Sequence, residues 1–157
     1  MTRFYPVAVI VVIAVFGAAV FTAGGTPATF IDPVSFLLVA VPTALLSGAN
    51  YRLAEIGRFV LLALGARTGR RDELLKAKVF FEALARYLLT TGVIASFVAA
   101  VTILSNLSGE PERIAAGTAI ALLSILYAML LYLVICVPLR TGICTHLAEW
   151  SDAATDE

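Results

Sequence analysis

Four long apolar stretches constrain this chain more than any other feature of its sequence. They cover about 4–23, 31–48, 88–107 and 114–139, and a helix needs roughly 17 to 25 such residues to cross the hydrocarbon core of a bilayer. None of the four contains Lys, Arg or Glu, and Asp32 lies only at the mouth of the second. We therefore predict an all-α integral membrane protein with four transmembrane helices.

The composition agrees with this prediction. Of 157 residues, 61% are hydrophobic and 14% are charged, whereas soluble domains are nearer half apolar and about a quarter charged. The length leaves no room for an additional large soluble domain, so we interpret residues 1–157 as one membrane domain. The formal net charge is zero, which gives no reason to expect a nucleic-acid partner.

Basic residues predict the orientation, because loops rich in Lys and Arg stay in the cytoplasm. The loop between the first two stretches has no Lys or Arg, and the loop between the last two has only Arg113. The segment 49–87 and both termini are therefore predicted to be cytoplasmic. The basic residues of that segment are Arg52, Arg58, Arg67, Arg70, Arg71, Lys76, Lys78 and Arg86.

The first stretch could also be a cleaved signal peptide, since Arg3 precedes it and "FTAGG" follows it. Its apolar run is longer than the roughly 7 to 15 residues of a signal-peptide core. We therefore expect it to remain as the first transmembrane helix.

The segment 49–87 is predicted to form a short helical hairpin that projects about 20 Å from the membrane. Its first helix, "NYRLAEIGRFVLLALG", would continue the second span inward, with Leu53, Ile56, Val60 and Leu64 on one face. "ARTGRR" would form the turn, and "DELLKAKVFFEALARY" would lead into the third span. The acidic tail covers 141–157, and its last part, "EWSDAATDE", is expected to be disordered.

Small and hydroxyl residues recur on one face of each of the last two spans. Residues of this kind allow helix backbones to approach closely in lipid. Two interpretations stay open: the two faces pack on each other within one chain, or they line a space that something else fills. The third span carries Gly92, Ser96, Ala99 and Asn106, and the fourth carries Gly117, Ala121, Ser124 and Ala128.

The charge inventory limits the chemistry of such a space. Proton transport through lipid usually needs an ionisable residue at depth, and these spans have none. A partner would have to bring a carboxylate, which Ser96, Thr102 and Ser124 could then hydrate or orient.

No enzyme chemistry is indicated. Cys136 and Cys144 lie on the reducing side, where a disulfide is not expected, and two ligands do not make a zinc site. His146 stands alone in the polar tail, and no nucleophile–base pair or metal set is evident. We expect neither a metal nor a cofactor.

Three segments share motifs with the last three spans of a known family. In "TFIDPVSFLLVAVPT" (29–43) the matching residues are Phe30, Ile31, Asp32, Ser35, Val39 and Thr43. In "FEALARYLLTTGVIASFVAAVTILSNL" (81–107) they are Tyr87, Gly92, Ile94, Leu104, Asn106 and Leu107. In "AGTAIALLSILYAMLLYLVICVPLR" (116–140) they are Ala121, Leu122, Leu123, Tyr127, Leu130 and Pro138. With these motifs in order, the chain resembles the MotA/TolQ/ExbB proton-channel family, as a MotA-like branch with a much reduced cytoplasmic region.

The resemblance implies a homopentamer in the inner, cytoplasmic membrane of a bacterium, surrounding a dimer of a single-span MotB/TolR/ExbD-like partner. The partner's aspartate would carry the ion, and ion flow would turn the pentamer and do mechanical work. H+ is favoured over Na+, because the spans offer no further acids. The residues expected to line the pore and face the partner are Gly92, Ser96, Ala99, Thr102, Asn106, Gly117, Ala121, Ser124, Ile125 and Ala128. Asp32, Tyr127 and Pro138 are expected to be structural.

Two departures from the family pattern keep an alternative open. Val34 and Leu89 replace prolines of the family's second and third spans, and Ile125 stands where the family has a threonine near the partner's carboxylate. The alternative is a non-conducting oligomeric membrane scaffold related to the same family.

Overall fold

The computed structural model describes residues 30–65, 69–105 and 111–153, together with separate helical positions between Ile10 and Thr22. Five α-helices follow one another in the three continuous ranges, and a π-helical turn at Tyr132–Cys136 joins the last two. The helices are α1 (Pro33–Asn50), α2 (Leu53–Ala63), α3 (Arg71–Ser105), α4 (Pro111–Leu131) and α5 (Val137–Ala153).

Three described helices are long and apolar enough to cross a membrane: Pro33–Asn50, Arg71–Ser105 and the continuous Ile114–Glu149. They correspond to the second, third and fourth predicted spans, which confirms that the described chain is all-helical and has helices suited to a membrane. The predicted first span, 4–23, lies largely outside the described residues.

The start of α1 is fixed by local chemistry. Asp32 is its N-cap, with side-chain oxygens that accept hydrogen bonds from the backbone N–H groups of Val34 and Ser35. Such a cap satisfies donors that no preceding turn can reach. The backbone N–H of Asp32 also donates to the hydroxyl of Tyr127 at 2.9 Å, and this hydroxyl donates to the carbonyl of Phe30. Asp32 and Tyr127 therefore fasten the start of α1 to α4.

The predicted continuous helix from the second span into the hairpin is wrong. Tyr51 and Arg52 have extended backbone conformations between α1 and α2. The ring of Tyr51 lies 4.9 Å from that of Phe80 and 6.4 Å from that of Phe59. The Arg52 N–H donates to the Glu55 carboxylate at 3.3 Å, which stabilises a new helix start. The break in the helix therefore coincides with the packing of the partly buried Tyr51 ring against Phe59 and Phe80.

The predicted face of α2 also needs correction. Leu53 is 81% exposed and Leu64 is 54% exposed, whereas Phe59, Leu62 and Ala63 are buried. The buried face packs against the first half of α3, where Arg58 pairs with Glu73 at 2.7 Å. Gly65, with φ of 71°, ends this helix in the left-handed conformation that glycine adopts readily.

The tail is not disordered through its described part, because α5 extends to Ala153. Leu139 and Ile143 are buried, and Leu147 is partly buried, in one core with α2 and the first half of α3. Their spacing of four places all three on one face of α5. The predicted hairpin is therefore a three-helix cluster, which we call the basic end of the molecule.

Pro138 explains the π-helical turn between α4 and α5. Proline lacks an N–H group, and its ring clashes with the carbonyl four residues earlier in an α-helix. The turn is widened at this point, since the Val137 N–H donates to the carbonyl of Tyr132, five residues back. The chain thus continues as one helical segment from α4 through the π-helical turn into α5 and the basic end.

Candidate functional site

The helices α3 and α4 make the most extensive helix–helix contact in the described fold. A Cβ built on Gly92 would lie 2.3 Å from the Cβ of Ala128, and one built on Gly117 would lie 2.7 Å from Cγ1 of Ile103. The two contacts are eleven residues apart on both helices, so the helices run antiparallel in constant register. A methyl group added at Gly92 would push against Ala128, and one added at Gly117 would require the Ile103 side chain to move.

Half of the residues predicted to face a partner lie in the contact between α3 and α4 of the described chain. They are buried or make their closest contacts between these two helices within one chain. The first of the two interpretations, packing within one chain, applies to them. They are Gly92, Ala99, Gly117, Ser124 and Ala128.

A second set of hydroxyl groups holds α1 against this pair. Thr43 and Thr91 share a hydrogen bond of 2.9 Å between their hydroxyl oxygens. The carbonyl oxygen of Ile120 accepts from the hydroxyl of Ser124 within α4 at 2.8 Å, and it lies 3.4 Å from the hydroxyl oxygen of Ser35, which donates its proton to the Asp32 carboxylate. Hydrogen bonds of this kind hold helices together in lipid.

Sequence reasoning overlooked the α1 hydroxyls, although their spacing offered a signal. Ser35, Thr43 and Ser47 are separated by eight and four residues and are all buried, so they lie on one helical face. Among the described residues, every buried polar side chain carries a hydroxyl: Ser35, Thr43, Ser47, Thr91 and Ser124.

The remaining predicted residues divide between two sides of the α3–α4 pair. On α3, Ser96 is half-buried and lies two residues from Val98, a rotation of about 160°. Val98 lines a groove of about 630 Å³ between α1 and α3. Ser96 therefore faces away from α1.

On α4, Ala121 and Ile125 are also half-buried. Ile125 lies two residues before Tyr127, which contacts α1, so it too faces away from α1. The register of the pair places Ile125 within one residue of the level of Ser96. We call this surface, formed by Ser96, Ala100, Ala121 and Ile125, the open flank.

Thr102 does not belong to the open flank. It is exposed, but it follows Val98 by four residues and therefore lies on the side of α3 that faces α1. Its hydroxyl donates to the Val98 carbonyl at 2.9 Å. Asn106 lies outside the described residues.

The open flank has limited chemistry of its own. Ser96 supplies one hydroxyl, and its companions are two alanines and one isoleucine. A surface without an ionisable group can neither accept nor release a proton, so it can only surround or orient a group supplied by another chain.

Comparison with models of known protein families and with curated proteins gives no match. The open flank therefore has to be interpreted from its own geometry and from the motif resemblance.

Proposed function

We propose that the chain is the channel-forming subunit of a compact ion-driven rotary motor. Five copies surround a dimer of a single-span partner, whose intramembrane aspartate carries the ion, with H+ favoured. The protein lies in a bacterial inner membrane with its basic end in the cytoplasm. Ion flow turns the ring and does mechanical work.

The open flank is the observation that carries this proposal. Within the described part of the chain, α1 covers one side of the α3–α4 pair, and the other side presents small residues and a hydroxyl, Ser96, at mid-span. A face that only met lipid would gain from bulky side chains, whereas small ones admit a closely packed helix. A partner helix with a carboxylate near Ser96 supplies the charge that these spans lack.

The charge distribution supports the orientation. Residues 49–87 contain eight basic and four acidic side chains, a net charge of +4, which favours retention on the cytoplasmic side. The hydroxyl of Ser96 is the group best placed to hydrogen-bond a carboxylate, since Ile125 beside it is apolar.

The test is co-purification with the single-span partner, followed by particle symmetry and ion flux. Five copies around two are expected by electron microscopy. In proteoliposomes, flux should vanish when the partner's aspartate becomes asparagine. Flux that persists unchanged in that variant would refute the mechanism.

Ile125 specifically favours a second candidate, a non-conducting oligomeric scaffold. An apolar side chain beside Ser96 removes one of the two hydroxyls that would flank a carboxylate. A purified ring that contains only lipid, with no partner helix and no flux, would establish this alternative.

A further inference from the structure

A second cavity lies where the open flank meets the basic end. Its volume is about 280 Å³, which is room for several water molecules at roughly 30 Å³ each. Its lining combines one cation and two hydroxyls with small or apolar groups: Ala85, Tyr132, Cys136, Val137, Arg140, Thr141 and Cys144. Unlike the groove between α1 and α3, it is therefore suited to hold water.

The cavity continues the open flank along both helices. On α3, Ala85 precedes Ser96 by eleven residues, which is about three turns and returns to the same face within about 20°. On α4, Tyr132 follows Ile125 by seven residues, again within about 20° of the same face. The axial distance from Ser96 to the cavity is about 16 Å.

An ion pair borders this cavity. Arg140, which lines it, donates to the Glu82 carboxylate at 3.1 Å, and the two side chains are 49% and 42% exposed. The pair bridges α5 and α3 immediately beyond the apolar part of the span. It therefore lies where an ion would pass from the membrane layer to water.

We propose that this cavity is the water-filled exit from the open flank to the cytoplasm, with Glu82 and Arg140 setting the charge at its mouth. The inference rests on the proposed function, because it needs an ion path along the open flank. Glu82 offsets the positive charge of Arg140, so the mouth stays passable to a cation.

The native cysteines provide the test. Cys144 is exposed and lines the cavity, whereas Cys136 is buried. A methanethiosulfonate carrying trimethylammonium transfers its thioalkyl group to the Cys144 sulfur, forms a disulfide and releases a sulfinate. We expect this bulky cation to lower partner-dependent flux at least fivefold.

Two variants serve as matched controls. Cys144→Ser should show the same flux before and after the reagent is added, and Cys136→Ser should lose flux to the reagent as the unchanged protein does. If mass spectrometry shows that Cys144 is fully labelled and the flux is unchanged, the proposed exit is refuted, whereas the proposed function is not. If no partner-dependent flux occurs before labelling, both the proposed function and the exit fail.

The charge assignment has its own pair of variants. Glu82→Gln leaves the positive charge of Arg140 unopposed and should lower cation flux about fivefold. This is the change in rate expected when a cation in water passes one unit charge at about 4 Å. Arg140→Gln should not lower it. Glu149→Gln changes a carboxylate that is 67% exposed on the same helix as Arg140, and it should leave flux unchanged. An equal loss in Glu82→Gln and Arg140→Gln would overturn the electrostatic role.

Discussion

Replacement of Gly92 by alanine tests the intrachain packing most directly. The added methyl group would lie 2.3 Å from the Cβ of Ala128 and 3.3 Å from the carbonyl oxygen of Ser124. Carbon atoms in contact normally lie about 3.5 to 4.0 Å apart. The two helices must therefore separate by more than an ångström at their closest point.

Overpacking of this kind costs about 1 to 3 kcal/mol. For a chain of this size, 1 kcal/mol corresponds to about 2 to 4 °C in melting temperature. We therefore expect Gly92→Ala to melt several degrees below the unchanged protein in detergent, as followed by fluorescence-detected size exclusion after heating.

Two companion variants make the reasoning specific. Ala128→Gly removes the methyl group that the new side chain would meet, so Gly92→Ala with Ala128→Gly should recover most of the lost stability. Gly48→Ala adds a methyl group where nothing lies within 4 Å, and it should not lower the melting temperature. A Gly92→Ala protein that melts like the unchanged protein would show that Gly92 does not face Ala128.

The remaining predictions concern three other sites. Tyr127→Phe loses hydrogen bonds to Asp32 and Phe30, each worth about 0.5 to 1.5 kcal/mol; the melting temperature should fall, and an unchanged value would contradict the clamp. Ile143→Ala empties a fully buried position at a cost of about 2 to 5 kcal/mol, and limited proteolysis should cut α5 faster; cleavage at the unchanged rate would mean that α5 is not packed. Ile125→Thr places a second hydroxyl on the open flank and should raise partner-dependent flux in proteoliposomes, whereas unchanged flux would indicate that no carboxylate approaches this position.

The sequence predicted the helical membrane character well because that property depends on local composition. An uncharged apolar run long enough to cross the bilayer satisfies its backbone by forming a helix, whatever its neighbours are. The three described spans follow from this argument alone. The cap at Asp32 is likewise local, since its carboxylate meets N–H groups two and three residues away.

The break at Tyr51 and the packing of α5 could not be predicted in the same way. Each depends on distant residues, because Tyr51 inserts beside Phe80, and Ile143 belongs to a core with Phe59 and Phe81. The local sequence around α5 is polar enough to suggest a loose tail, and only three apolar residues on one face anchor it.

The sequence by itself determined that Gly92, Ser96 and Ala99 are small, uncharged residues on neighbouring positions of one helical face. It did not determine which residues this face contacts. The tertiary structure decided this, since the antiparallel register places Gly92 against Ala128 and turns Ser96 to the open flank. The physical reason is angular: Ser96 is rotated about 40° from Gly92 on the same helix. That rotation leaves Gly92 buried between α3 and α4, and it places Ser96 at the edge of their contact, on the open flank.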